Sequence, residues 1–183
     1  MKKESKPSLL VKTGKHQSTP MDLGFIVMGY DGDPSKVGIT LKSIERWYGK
    51  AKTVVVMPEE FKDEYKGAKI GGSSMTSLMN AGMVKPPAEW NVFLFAGVHV
   101  KEKLDQRYST FMEDKRDIFF PLVWGKFNFI DAPLNGLTVH RDTFKEVGPF
   151  GIDNSIEICK MMWFLDASQH GCKFKAVAGT RMC

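Results

Sequence analysis

The chain has 183 residues, 43% of them hydrophobic and 26% charged, with a formal net charge of +5. That length suits one domain with a sizeable core, and the composition is ordinary for a soluble globular protein. No apolar run approaches the ~18 residues of a membrane-crossing helix, and the first residues lack the apolar centre of a secretory signal.

The positive charge is unevenly placed. Residues 1–20, MKKESKPSLLVKTGKHQSTP, hold five lysines and one glutamate, whereas residues 21–183 are nearly balanced. The first segment is polar and aperiodic, and reads as a flexible basic arm closing on Pro20. Such an arm touches phosphates non-specifically or is merely solvated; the rest, a single domain over 21–183, does not read as a nucleic-acid surface. Cys159, Cys172 and Cys183 are odd in number and lack C-x-x-C spacing, which favours free thiols and a cytoplasmic setting.

LGFIVMGY (Leu23–Tyr30) is a run of strand formers ending in the turn-prone DGDPS. SKVGITLKSIERWYG spaces Val37, Leu41, Ile44 and Trp47 or Tyr48 along one helix face, with Ser35 as N-cap and Gly49 as stop. KTVVVMP (Lys52–Pro58) is a second buried strand, so the three form a parallel βαβ unit. Gly71 and Gly72 make a turn. Ser73 or Ser74 then caps a helix with Leu78, Met79 and Met83 toward the core, stopped before Pro86. EWNVFLFAGV is the third buried strand and VKEKLDQRYSTFMED a helix. DIFFPLVW (Asp117–Trp124) is a strand in which Pro121 implies an edge or a bulge. LNGLTVHRDTFKEVGPFG gives a short strand and a short helix ending at Gly148. DNSIEICKMMWFLDASQHG gives a long helix, and CKFKAVAG the last strand. Met161 and Met162 read as core filler, His140 and His170 as structural. The alternation predicts a three-layer α/β/α domain around a mainly parallel sheet.

Taken in order, FIVMGYDGDP, LKSIERWYGKAKTVVVMPEE, GGSSMTSLMNAGM and WNVFLF resemble the core of a glycosyltransferase of the GT-A fold, most like family 2. NGLTVHRDTFKEVGPF, and a helix running into KFKAVAG, are similar to that family's second half. The resemblance implies a nucleotide-sugar donor, UDP-linked in the first instance, and an acceptor that the sequence does not name. Tyr30 and Asp31 fall where the family holds the nucleotide. Glu59 and Glu60 are near substitutes for the acid that contacts the base. Asn80 and Gly82 match the Asn-x-Gly under the nucleotide sugar. The metal triplet Asp-x-Asp maps onto Phe95-Ala96-Gly97, and the Glu-Asp pair of the late helix onto the spread set Asp153 and Glu157. The closing metal-ligand histidine corresponds to Arg181 or lies beyond the end.

Sugar transfer from a nucleotide diphosphate needs a base for the acceptor hydroxyl and positive charge on the departing diphosphate. A divalent ion held by carboxylates usually supplies that charge. Phe95 and Gly97 offer no ligand, and His99, without an evident partner, reads as a loop or capping residue. No cofactor or metal is therefore expected, and Arg141 and Arg181 are the candidate replacements, with surface ion pairing as the alternative. Asp153 and Glu157, four apart at a helix start, are the candidate bases, Glu157 first, or else simply dipole-favoured acids. Asp31 is a nucleotide contact or an Asx-turn residue. Asn80, a poor helix former inside a helix, points to a site. GGSS lacks the G-K-[ST] ending of a phosphate loop. The sequence thus reads as a small metal-independent glycosyltransferase. The alternatives are a nucleotide-sugar-binding relic without turnover and a sugar transferase acting on nucleic acid held by the arm.

Overall fold

Leu23–Met28 (β1) and Lys52–Pro58 (β2) are rich in β-branched and large apolar residues, and they pair in parallel, Gly24 opposite Lys52 and Met28 opposite Val56. They belong to a computed structural model that describes residues 21–121, 133–152 and 155–177. The basic arm, Asp153, Arg181, Cys183 and the end of the DIFFPLVW run lie outside the described residues.

Pro34–Tyr48 (α1) joins the two strands. Pro34 opens it, where a missing N–H leaves no bond unmade. The cap is Asp33 rather than Ser35: its carboxylate accepts from the Ser35 N–H at 2.8 Å and the Ser35 hydroxyl at 2.6 Å. Gly49 stops the helix at φ +62°. There follow β3 (Lys69–Gly71), α2 (Met75–Val84), β4 (Trp90–Phe95), α3 (Leu104–Ser109), β5 (Asp117–Pro121), β6 (Thr138–His140), α4 (Arg141–Val147), α5 (Ile156–Gln169) and β7 (Lys173–Val177).

The described strands form one sheet in the order β3-β2-β1-β4-β6-β5-β7. All run parallel except β6, which is antiparallel to both neighbours. Side chains alternate across the strands, so Ile26, Met28 and Phe93 meet Leu78, Met79, Phe144 and Trp163 from α2, α4 and α5. Phe25, Val27 and Leu94 meet Val37, Ile44, Leu104 and Tyr108 from α1 and α3 on the other face. With both faces covered, the strands read as unbroken apolar runs, and the expected α/β/α layering is present.

Four local expectations are corrected. β3 lies in a segment whose sequence shows no strand pattern. α3 is much shorter than VKEKLDQRYSTFMED, because the N–H groups of Val100 and Leu104 bond to Ser43 Oγ at 3.0 Å and Tyr48 Oη at 2.5 Å on α1. β5 is an internal strand; Pro121 is tolerated as its final residue, past the Phe119–Thr138 pairing with β6. Met161 and Met162 are 42% and 52% exposed, since α5 buries Cys159, Trp163, Phe164 and Ala167 instead.

One consequence places the site. β2 lies to one side of β1 and β4 to the other, so the strand order reverses between β1 and β4. In open α/β sheets ligands bind beyond the carboxyl ends of the strands at such a point.

Candidate functional site

The loop leaving β1 forms one wall of this crevice. The Gly29 N–H still bonds to Val56 O at 2.9 Å, and a turn closes with Gly32 N–H on Gly29 O at 3.2 Å. Gly32 has φ +71°, and a Cβ there would lie 2.4 Å from the Phe61 ring. Phe61 belongs to the 3-10 turn Glu59–Phe61 that follows β2, so the two loops are locked together. Tyr30 stands out of this frame, 51% exposed. Asp31 is an Asx-turn residue: Oδ1 accepts from the Asp33 N–H at 3.3 Å. Its other oxygen is paired with the Lys36 ammonium from the first turn of α1. The hydrogen bond from Lys36 holds the Asp31 carboxyl below its ordinary range, and Asp31 in turn raises Lys36.

The exit of β4 forms the facing wall. The Phe95 N–H bonds to Asn135 Oδ1 at 3.1 Å and the Ala96 N–H to Met28 O at 3.0 Å. The Gly97 N–H is shared between Lys36 O and Thr40 Oγ1, each at 3.0 Å. Gly97 has φ +95°, where side chains are disfavoured, and the Lys36 stem lies 3.7 Å from where its Cβ would be. A lysine therefore covers the last position of the Phe95-Ala96-Gly97 triplet. Phe95 packs against one half of the core and Ala96 against the other. These residues do not fit a divalent ion: no side-chain oxygen stands in the triplet, and the apolar stem of Lys36 packs against its last position. Among the described residues no group of three His, Cys, Asp or Glu is placed to hold a metal.

The other residues singled out by the sequence are scattered. Glu59 opens the turn after β2, exposed and 3.3 Å from Lys62, at the same carboxyl edge as Tyr30. Glu157 is exposed in the first turn of α5, which Ser155 caps through the Ile158 N–H at 3.4 Å. α5 leads directly into β7, so its N-terminus points toward the carboxyl edge of the sheet. Asn80 has its amide bonded to the main chain of Phe150, 2.8 Å to the carbonyl and 2.9 Å from the N–H. Gly82 is buried against β1, where a Cβ would lie 2.4 Å from Ile26 Cγ2. Its smallness serves helix–sheet packing.

Arg141 is corrected outright. β6 runs antiparallel, so its exit lies at the opposite edge: His140 pairs with Trp90 at the start of β4, and the Arg141 N–H bonds to Glu89 O at 2.8 Å. Its guanidinium is 3.8 Å from Glu89. It cannot serve a ligand beside Tyr30. Lys36 is the residue that sequence reasoning missed. Its one signal was a cation in the first turn of a helix, where the macrodipole disfavours it.

Solved structures share the overall fold of this chain. GalNAc-T7 with UDP, GalNAc and Mn2+ superposes with a TM-score of 0.66 at 11% identity, over 88% of this chain and 43% of that one. S. aureus TarS gives 0.58 at 13% identity over 88% of this chain and 36% of that one, and TarS 1-349 gives 0.59 at 11% over 87% and 58%. The chain has the GT-A fold. It spans roughly a third to three fifths of the length of these GT-A glycosyltransferases. By sequence it matches no family model and no curated protein. No helix among the described residues is long and apolar enough to cross a membrane.

Proposed function

We propose that the chain binds the nucleotide diphosphate of a sugar donor across the β1–β4 crevice and transfers the sugar to an acceptor hydroxyl without a divalent ion. The observation that carries this reading is the Asp31–Lys36 ion pair in the loop after β1, with the Lys36 stem against Gly97, which supplies a cation beside the switch point near the positions onto which the Asp-x-Asp triplet maps. The presence of UDP in GalNAc-T7 supports a uridine nucleotide as the carrier.

The exposed Tyr30 ring offers a face for the base, with Glu59 beyond it, while Asp31 steadies the loop and Lys36 faces the diphosphate. In the transfer, the acceptor oxygen forms a bond to the anomeric carbon as the bond from that carbon to the diphosphate oxygen breaks. The diphosphate leaves with the electron pair, its growing charge met by the Lys36 ammonium. Glu157 takes the hydroxyl proton; Asp153, outside the described residues, is the second candidate for that role. Arg181, near the chain end, is the further basic candidate for the diphosphate.

Two exposed substitutions separate these roles. Lys36→Gln should weaken nucleotide diphosphate binding about tenfold or more, as loss of a charge-assisted hydrogen bond implies. Glu157→Gln should leave binding intact and lower nucleotide release from an activated sugar by about 10² to 10⁴. Unchanged binding in Lys36→Gln removes Lys36 from the site. The bare Phe95-Ala96-Gly97 triplet favours a second reading, a nucleotide-sugar-binding protein without turnover. Binding by the wild-type chain with no release from any donor would select it.

A further inference from the structure

A groove of about 580 Å³ runs along the outer flank of α1, between Lys42, Arg46 and Trp47 on the helix and His99 and Lys101 on the segment after β4. A second groove, also about 580 Å³, continues from Trp47 past Lys103 and Gln106 to Phe111, which is 51% exposed. Elsewhere the basic side chains are commonly paired: Lys36, Lys52, Lys115, Arg116 and Lys173 each meet a carboxylate. Lys42, Arg46, Lys101 and Lys103 meet none among the described residues. The first groove has no acid in its lining, and the one in the second, Glu102, is engaged with Arg107 at 3.3 Å.

Like charges held side by side raise the local potential and attract a polyanion. The N-terminal arm cannot be that anion, with its five lysines and one glutamate. Cations interleaved with aromatic faces match one kind of chain, in which phosphates alternate with flat rings. We propose that these two grooves form a binding site for single-stranded nucleic acid, with phosphates on Lys42, Arg46, Lys101 and Lys103 and a base on Trp47. The near-zero balance of residues 21–183 concealed this surface, because several other cations, among them Lys52, Lys115, Arg116 and Lys173, are neutralised by partners distant in sequence. The grooves lie on the α1 flank, and the proposal does not depend on the sugar-donor reading.

The test is fluorescence anisotropy of a labelled oligothymidylate of about twelve nucleotides, within the usual single-strand site size, titrated with the full chain. The logarithm of affinity should fall with the logarithm of salt at a slope of about −2 to −3, as three or four phosphates on a single strand require. Replacing Lys42, Arg46 and Lys101 together by Gln should cut affinity at least tenfold and flatten the slope by about 2. Trp47→Leu should weaken binding with the slope kept, and Phe111→Ala, at an exposed ring, provides the same readout if Trp47→Leu fails to fold. A chain with Lys2, Lys3, Lys6, Lys12 and Lys15 replaced by Gln should retain the groove-dependent binding. Binding that vanishes with the arm lysines and survives the groove substitutions overturns the proposal. So does equal competition by inorganic polyphosphate combined with no effect of either aromatic substitution, which would reduce the surface to a polyanion patch. The response to UDP serves as the control and should be the same in every groove variant.

Discussion

Asn80 and Phe150 exchange two hydrogen bonds, so that one side chain from α2 pairs with the main chain between α4 and α5 as a neighbouring strand would. This fixes the Phe150 ring, which stacks on Trp163 with centroids 4.6 Å apart and meets Phe93 edge-on at 6.4 Å. Asn80→Ala leaves the N–H and carbonyl of a buried residue without partners, a loss of about 1–3 kcal/mol. Urea unfolding should show a lowered midpoint with an unchanged slope. A role confined to the nucleotide would leave the midpoint where it is and weaken binding alone.

Gly82 gives a second test of the same helix. A methyl group there meets Ile26 Cγ2 on β1, at the centre of the sheet. Gly82→Ala should destabilise by about 1–3 kcal/mol through overpacking, despite the better helix propensity of alanine. The companion variant Gly38→Ala, on α1 with nothing within 4 Å, should be neutral or slightly stabilising. Equal midpoints for the two proteins would show that α2 does not press on β1 as described.

His140 makes stability depend on pH. It caps α4 by accepting the Asp142 N–H on Nδ1 at 3.2 Å and sits edge-on to Trp90 at 5.1 Å. Burial lowers its pKa below the ordinary 6.5, outweighing the opposing pull of Asp142 and Glu89; Lys115 and Arg141 add to the lowering. The folded chain therefore resists a proton that the unfolded chain accepts. Its contribution is complete above 6.5 and is lost as pH falls from there through the folded value. Melting temperature should decline over that interval, and His140→Asn, which keeps a capping acceptor, should flatten the decline. A steeper decline in the variant would reverse the assignment.

The periodicity of the chain carried much of the architecture. The βαβ unit, the stops at Gly49 and Gly148 and the Ser74 cap all rest on local chemistry, and local chemistry is what sequence spacing reports. Apart from the cap of α1, where Asp33 rather than Ser35 bonds the first turn, what failed depended on long-range geometry. Arg141 follows a strand as a site residue should, but nothing in TVH says that this strand runs backward. Met161 and Met162 belong to a helix whose apolar residues are spread over every face, so its buried side is chosen by Phe144 and Phe150 rather than by its own pattern. Asn80 is an oddity within α2 until Phe150, seventy positions on, supplies its partner. Lys36 gains its place over Gly97 only when β4 is laid beside β1.

The most direct test is a thermal melt of the full chain with UDP, in EDTA and again in manganese. At about 100 times the dissociation constant, UDP should stabilise the fold by about 2.7 kcal/mol, a shift of roughly 5–10 °C for a domain of this size. The shift should be the same in both buffers and should shrink in Lys36→Gln. A nucleotide response that requires manganese, or that tightens tenfold (about 1.4 kcal/mol) when manganese is added, would contradict a site built on Lys36 in place of a metal.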